Sequence, residues 1–117
     1  MSVEPRFIHL HLHTEYSLVD GLIDVKPLVK RCVAEGMPAV AVTDQSNLFA
    51  LVKFYRAAQE AGIKPLAGAD IHLQNPLDPQ NPHALTLLVQ NATGYQHLTA
   101  LLSRAYQENQ HQGVPQV

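Results

Sequence analysis

The residues with the clearest capacity for chemistry are three histidines near the N-terminus, His9, His11 and His13, which alternate with aliphatic residues. In an extended strand, alternate side chains share one face, so the three imidazoles lie together. A His-x-His pair at a strand end, with an acidic residue such as Asp20 in the next loop, is typical of metal hydrolases. The pattern alone leaves two interpretations open: a metal site, or satisfied polar side chains beside a core.

Further candidate ligands lie near the ends of later predicted strands. Asp44 follows the second strand, Asp70 lies on the third, and His83 precedes the fourth. In folds that alternate strands and helices, the carboxyl ends of the strands carry the chemistry, so most of these side chains can converge. His83 fits least well because it precedes its strand. Cys32 falls in the apolar stripe of a helix, where we expect it to pack rather than react.

The elements that must position these residues follow from hydrophobic periodicity and from glycine and proline signals. Strands are predicted over residues 6–12, 39–42, 66–73 and 85–89, and helices over 24–35, 48–61 and 93–106. This alternation predicts an α/β fold with mostly parallel strands and right-handed crossovers. It amounts to about half of a barrel of ~250 residues. We expect an incomplete barrel over residues 1–107 and a polar, mobile tail over 108–117, the alternative being a complete small open-sheet domain.

Composition excludes several classes of function. Charged residues make up only 15% of the chain and the net charge is −2, with no run of basic residues, which argues against a main DNA-gripping surface. A surface this poor in charge suggests that other protein covers part of it. The single cysteine excludes an internal disulfide. The N-terminus lacks a signal-peptide pattern and no apolar stretch approaches the ~20 residues of a membrane span, so we expect a cytoplasmic protein.

Longer strings identify a family. His11-Leu12-His13 followed by Asp20-Gly21 is a moderately specific mark of the polymerase and histidinol phosphatase (PHP) family. The chain resembles in particular the branch at the N-terminus of bacterial DNA polymerase III alpha subunits. That match rests on residues 14–21, 43–48, 51–55, 61–65, 68–70 and 91–98, and it covers about residues 6 to 106.

The resemblance implies the N-terminal part of a distorted (β/α)7 barrel of the PHP type. The intact protein would then be a much longer replicative DNA-directed DNA polymerase. Its nucleotidyl-transfer carboxylates, and the Mg²⁺ they use, would lie downstream, so this segment should not polymerise DNA. Implied partners are the rest of the alpha subunit, a proofreading exonuclease and other holoenzyme subunits, with DNA bound through other domains.

The resemblance also implies a ligand set. Metal-binding members hold a cluster of ions, and His11, His13, Asp20 and Asp44 match ligand positions. Three positions depart from the family: Gln45 and Ala84 replace histidines, and Asp70 replaces a glutamate, with His83 beside Ala84 as a substitute. Glutamine is a poor zinc ligand compared with imidazole, so we expect no ion or one weakly bound Zn²⁺ or Mn²⁺. The remaining histidines, His9, His72, His97 and His111, are predicted to be barrel-mouth or surface residues.

Three functions stay open at this point. The leading hypothesis is a degenerate, non-catalytic scaffold that braces the polymerase and docks the exonuclease. The second is an active metal-dependent phosphoesterase, either a pyrophosphatase or a 3′-5′ exonuclease, with metal-bound water as nucleophile. The third is a free-standing enzyme similar to histidinol phosphatase.

Overall fold

The computed structural model describes residues 6–17, 20–111 and 113–117. Its elements, in chain order, are a 3-10 helix at Glu15–Ser17, α1 (Val25–Ala34), β1 (Ala39–Gln45), α2 (Leu51–Ala61), β2 (Lys64–Leu73), β3 (His83–Leu88), α3 (Ala92–Glu108), β4 (Gln110–His111) and β5 (Val114–Pro115). From α1 to α3, each element begins and ends within about three residues of its prediction from periodicity. No helix among these described residues is long and apolar enough to cross a membrane.

The main sheet has the order β1-β2-β3. β1 and β2 are parallel, in a register that runs from Ala39 opposite Lys64 to Gln45 opposite Asp70. β2 and β3 are antiparallel, from Gly68 opposite Leu88 to Leu73 opposite His83. The parallel pair is joined through α2, whereas only a loop joins the antiparallel pair, as the two kinds of connection require. The predicted α/β class is thus confirmed.

The segment before the 3-10 helix departs from prediction, because residues 6–12 do not form a regular strand. The segment does run parallel to β1: the amide of Ala41 donates to His9 O at 2.9 Å and that of Thr43 to Leu12 O at 2.8 Å. Between these two bonds the segment advances three residues while β1 advances two. The extra residue breaks the ladder, and the amide of Leu12 donates instead to the Thr43 hydroxyl at 2.9 Å.

The helices cover one face of the sheet with two apolar clusters. The first joins α1 and α2 to β1 through residues such as Val29, Phe54 and Val40. The second joins α3 to β2 through Leu98, Leu102 and Ile71, among others. Because side chains alternate along a strand, the residues between these core positions point to the opposite face, which we call the site face.

The C-terminal segment pairs with itself and with β2. β4 and β5 form a two-stranded antiparallel hairpin. The amide of Val117 donates to His72 O, and the amide of Gln74 donates to Val117 O, both at 2.8 Å. These bonds place the segment at the carboxyl end of β2. The boundary at residue 107 and the mobility of the tail stay predictions.

Candidate metal centre

Strand register brings the polar residues of the site face together at the carboxyl end of the sheet. Gln45 lies opposite Asp70 on the parallel side, and Thr86 lies opposite Asp70 on the antiparallel side. Neighbouring strands are roughly 5 Å apart, so these three side chains form one row across the sheet. His72 lies two residues beyond Asp70 on the same strand and therefore points to the same face.

His11, His13 and Asp70 form the compact centre of the site. Nε2 of His11 and Nε2 of His13 each lie 2.5 Å from Asp70 Oδ2. One nitrogen from each ring and one carboxylate oxygen all lie within 4.8 Å of one another. The Thr86 hydroxyl donates to the other oxygen, Asp70 Oδ1, at 2.5 Å. His11 is largely open to solvent, with 64% of its side chain exposed, whereas Asp70 is 14% exposed.

Asp20 contacts the far side of the His13 ring. Asp20 Oδ2 lies 2.9 Å from His13 Nδ1, so the ring lies between two carboxylates. A carboxylate that accepts a hydrogen bond from Nδ1 fixes the tautomer and leaves Nε2 to bind a metal. This arrangement gives Asp20 the position of an orienting group behind a ligand.

The loop that carries Asp20 closes tightly on the segment before it. Thr14 and Ile23 form an isolated parallel bridge, and the amide of Glu15 donates to Ile23 O at 2.9 Å. Gly21 lies directly against the Thr14 carbonyl, where a side-chain carbon would overlap that oxygen. Glycine after Asp20 therefore permits the approach that brings Asp20 to His13.

The two central groups influence each other's protonation. Burial lowers the pKa of His13, but its hydrogen bonds with Asp70 and Asp20 and their negative charge outweigh burial, so the pKa lies above the ordinary value of 6.5. Burial raises the pKa of Asp70, but hydrogen bonds with Thr86, His11 and His13 outweigh it and lower the pKa below its ordinary value. Without metal, the site favours an imidazolium beside a carboxylate, and a metal ion must displace that proton.

Asp44 lies elsewhere, although the family resemblance places it among the ligands. Its side chain is buried on the opposite face of β1 from Gln45. One oxygen accepts from the Thr14 amide at 2.5 Å and the Ser17 hydroxyl at 3.0 Å, and the other accepts from the Thr14 hydroxyl at 2.8 Å. We call these three residues the Asp44 latch. It holds the turn after His13 against β1 and leaves neither carboxylate oxygen directed at the His11–His13–Asp70 group.

The structure does not bring His83 to the site. His83 opens β3 opposite Leu73, three residues from Thr86, and it is exposed on the helix-covered side of the sheet. Ala84 lies opposite His72. The position across from Asp70 thus carries a threonine hydroxyl rather than an imidazole.

Two residues of the site were not predicted from the sequence. Thr86 hydrogen-bonds to Asp70, and the side-chain amide of Gln45 donates to His72 Nε2. The signal for His72 was its spacing of two from Asp70 on a strand, which puts both on one face. The signal for Thr86 was a lone hydroxyl within an apolar strand, which is weak by itself.

The donor set fits one divalent ion. Two imidazole nitrogens and one carboxylate oxygen match the ligand preferences of Zn²⁺ and other first-row divalent metals. These ligands come from separate parts of the chain. Asp20 hydrogen-bonds to His13, and Thr86 hydrogen-bonds to Asp70. Because the protein supplies fewer than four ligands, an ion bound here would keep coordination positions for water or substrate.

Comparisons with known proteins agree on one family. The family model described as the PHP domain matches residues 9–117. The DNA polymerase III subunit alpha of Pseudomonas fluorescens is 58% identical over 109 residues, which are 92% of this chain but 9% of that protein. The chain thus spans about a tenth of the length of the curated relatives it matches.

Solved structures resemble the chain in fold. An amidohydrolase from Chromobacterium violaceum superposes with a TM-score of 0.64 at 23% identity. A protein of Bifidobacterium adolescentis, bearing the name of a metal-dependent phosphoesterase, superposes with a TM-score of 0.59 at 19% identity. Each match covers 84% of this chain and 32% of the other.

Proposed function

This chain belongs to the PHP domain family, and from that premise we propose that it is the N-terminal PHP portion of a bacterial DNA polymerase III alpha subunit. The observation that carries the proposal is 58% identity to such a subunit over 92% of the chain. The intact protein would be a DNA-directed DNA polymerase acting in the cytoplasm, with the nucleotidyl-transfer site and its Mg²⁺ beyond these residues. DNA would be bound by other domains, in keeping with a net charge of −2 here.

Within that protein, we propose that the segment binds one divalent ion, Zn²⁺ or Mn²⁺, through His11, His13 and Asp70. The convergence of their donor atoms supports this assignment. Asp20 would keep His13 in the binding tautomer. Such an ion would tie the irregular N-terminal segment to β2 and so stabilise the carboxyl end of the sheet.

The role we propose for the segment is structural, as a brace for the polymerase and a docking surface for a proofreading exonuclease. Two points favour this over hydrolysis. The family resemblance implies an imidazole at the position of Gln45, and both oxygens of Asp44 already accept hydrogen bonds within the latch. Apolar side chains also remain exposed on the helices. Val52 and Tyr55 of α2 and Tyr95 of α3 line one groove of about 740 Å³, together with Arg56 and Lys64. Other protein in the holoenzyme would cover such a surface.

A metal-dependent phosphoesterase is the second candidate function, and the intact His11–His13–Asp70 group favours it. A bound ion would supply a Lewis acid for a phosphate oxygen and an activated water. The side chain of His11 is largely exposed, and Asp70 accepts a hydrogen bond from Thr86. Pyrophosphate or a DNA 3′ end would be the substrate.

Metal analysis of the full-length protein tests the site. We expect about one zinc or manganese ion per chain, which the double variant His11→Ala/His13→Ala loses while polymerisation continues. His97→Ala, which changes an exposed histidine on α3, should keep the ion. Absence of metal after gentle purification would contradict the site. Pyrophosphate or 3′-end hydrolysis abolished by the double variant alone would favour the second candidate.

Lysine cross-linking with purified proofreading exonuclease tests the docking role. Lys26, Lys30, Lys53 and Lys64 distribute reactive amines over α1, α2 and β2. We expect cross-links from these residues in the assembled pair. Cross-links confined to the rest of the polymerase would contradict docking on this segment.

A further inference from the structure

A groove separates α2 from α3 on the helix-covered face of the sheet. α2 packs in the first apolar cluster with α1 and β1, whereas α3 packs in the second cluster with β2. The chain connections explain this separation. A crossover helix lies between β1 and β2, but only a loop joins β2 to β3, so the described helix layer has a gap where a further helix would pack.

The groove has the dimensions and lining of a helix-binding surface. Its volume is about 740 Å³. One wall is the face of α2 from Leu51 to Gln59, a length of roughly 12 Å. Tyr95, in the first turn of α3, lines the opposite wall, and the partly buried residues Pro65 and Ala67 line the floor. Residues spaced by four along α2 form the kind of ridge against which a second helix packs.

The groove combines apolar walls with charge of one sign. Val52, Tyr55 and Tyr95 are large apolar side chains that remain exposed, and such exposure is typical of a surface that another protein element covers. Arg56 and Lys64 also line the groove, with no acidic residue beside them in the lining. Neither cation forms an ion pair within the described part of the chain. A covering element that carries a carboxylate would complement them.

Both walls are held in place by their own hydrogen bonds. The side-chain amide of Gln59 donates to the Tyr55 hydroxyl at 2.8 Å, across one turn of α2. Asn91 Oδ1 accepts a hydrogen bond from the Gly94 amide at 2.9 Å and so caps α3 beside Tyr95. A surface that is ordered in advance loses little side-chain freedom when a helix packs on it.

We propose that an amphipathic helix of the same polymerase polypeptide, from beyond residue 117, packs in this groove. Its apolar side would contact Val52 and the two tyrosines, and a carboxylate would pair with Lys64 or Arg56. The source follows from two points. The chain covers only 9% of a related alpha subunit, so most of such a polypeptide lies outside these residues. A largely apolar lining is typical of permanent contacts. This inference rests on the proposed function and gives the bracing role a location.

Zero-length cross-linking of the full-length protein with a carbodiimide tests the carboxylate contact. The reagent joins a lysine amine directly to a neighbouring carboxylate without a spacer. We expect Lys64 to be coupled to an aspartate or glutamate beyond residue 117 of the same molecule, which a mixture of isotope-labelled and unlabelled protein distinguishes from a second copy. Lys64→Gln should remove the cross-linked peptide. Lys30→Gln, at an exposed lysine of α1, should retain it.

Hydrogen exchange of the full-length protein tests the apolar contact. Val52 is 66% exposed, so Val52→Asp leaves the fold of these residues intact but puts a charge into the groove. An acidic residue in the first turn of a helix favours that helix, so faster exchange would reflect a lost partner. We expect exchange of residues 51–61 to accelerate by about tenfold. Val33→Asp, at a valine of α1 that is 44% exposed, is the matched control.

Two results would overturn the inference. One is that Lys64 is not coupled within its own molecule, including the case in which it is coupled only to the exonuclease or to a second copy. The other is that Val52→Asp and Val33→Asp exchange residues 51–61 at the same rate. Failure of the proposed function would appear elsewhere, in the metal content and in the exonuclease cross-links of Lys26, Lys30 and Lys53, so the two failures are distinguishable.

Discussion

Asp44 and Asp70 lie near the carboxyl ends of two neighbouring parallel strands, yet their surroundings differ in nearly every respect. Asp44 is 1% exposed and accepts three hydrogen bonds, all from Thr14 and Ser17. Asp70 faces the carboxyl-end opening and contacts two imidazoles and one hydroxyl. One carboxylate is saturated by neutral donors, while the other collects groups that also bind metals.

The contrast shows that a position near a strand end does not by itself make a carboxylate a metal ligand. Alternation along the strand decides which face it points to, and the donors on that face decide its role. Neutral donors satisfy a buried carboxylate without an ion. A carboxylate bonded to imidazoles can exchange those bonds for a metal ion, because the same nitrogens and oxygens can bind a cation instead. The Asp44 latch helps to position His13, because it holds the turn that follows this residue.

Removing the latch carboxylate should have the largest effect. Asp44→Ala leaves the Thr14 amide and two hydroxyls buried without acceptors, which costs about 3 kcal/mol. We expect hydrogen exchange of peptides covering residues 9–17 to accelerate by about 100-fold in the metal-free full-length protein. Asp78→Ala, in an exposed loop, is the control. An acceleration no greater than that of Asp70→Ala would remove the distinction between the two carboxylates.

Neutralising the open carboxylate should act on metal rather than on stability. Asp70→Asn keeps the shape of the side chain but loses its charge, so Zn²⁺ affinity should fall by roughly 10–100-fold, judged by chelator competition. Exchange of residues 9–17 should stay within about threefold of the parent protein. Retained affinity would mean that Asp70 only bridges the two histidines.

Asp20→Asn should have the smallest of the three effects. An amide oxygen still accepts from His13 Nδ1, so the tautomer persists and Zn²⁺ affinity should fall by about tenfold or less. Chelator competition measures this beside Asp70→Asn. An equal loss in both variants would mean that Asp20 binds the ion directly, as the family resemblance implies.

Much of the fold could be predicted from the sequence because the signals are local. Apolar stripes mark the helices, and Gly62 marks the end of α2. Alternation correctly places His11 and His13 on one side. The regular strand predicted over residues 6–12 is not observed, because the extra residue between His9 and Leu12 depends on the pairing with β1 and has no local signature.

The site was predicted less completely because strand register is a non-local property. Which residue faces Asp70 depends on the alignment of β2 with β3, and that alignment selects Thr86. The contact of Gln45 with His72 depends on the alignment of β1 with β2 in the same way. Side-chain type identified candidate site residues, but only the pairing of the strands decides which of them share a face of the sheet.

The buried thiol of Cys32 can report on local opening of the structure. Cys32 is the only cysteine and packs in the cluster between α1, α2 and β1, away from the histidines. Burial raises the pKa of its thiol, so little thiolate is present and a thiol reagent must wait for the helix to separate from the sheet. The rate of labelling at Cys32, followed in the peptide that contains it, therefore reports how often the cluster of α1, α2 and β1 opens. A metal ion that slows the labelling would reveal mechanical coupling between the carboxyl end of the sheet and the helix layer behind it.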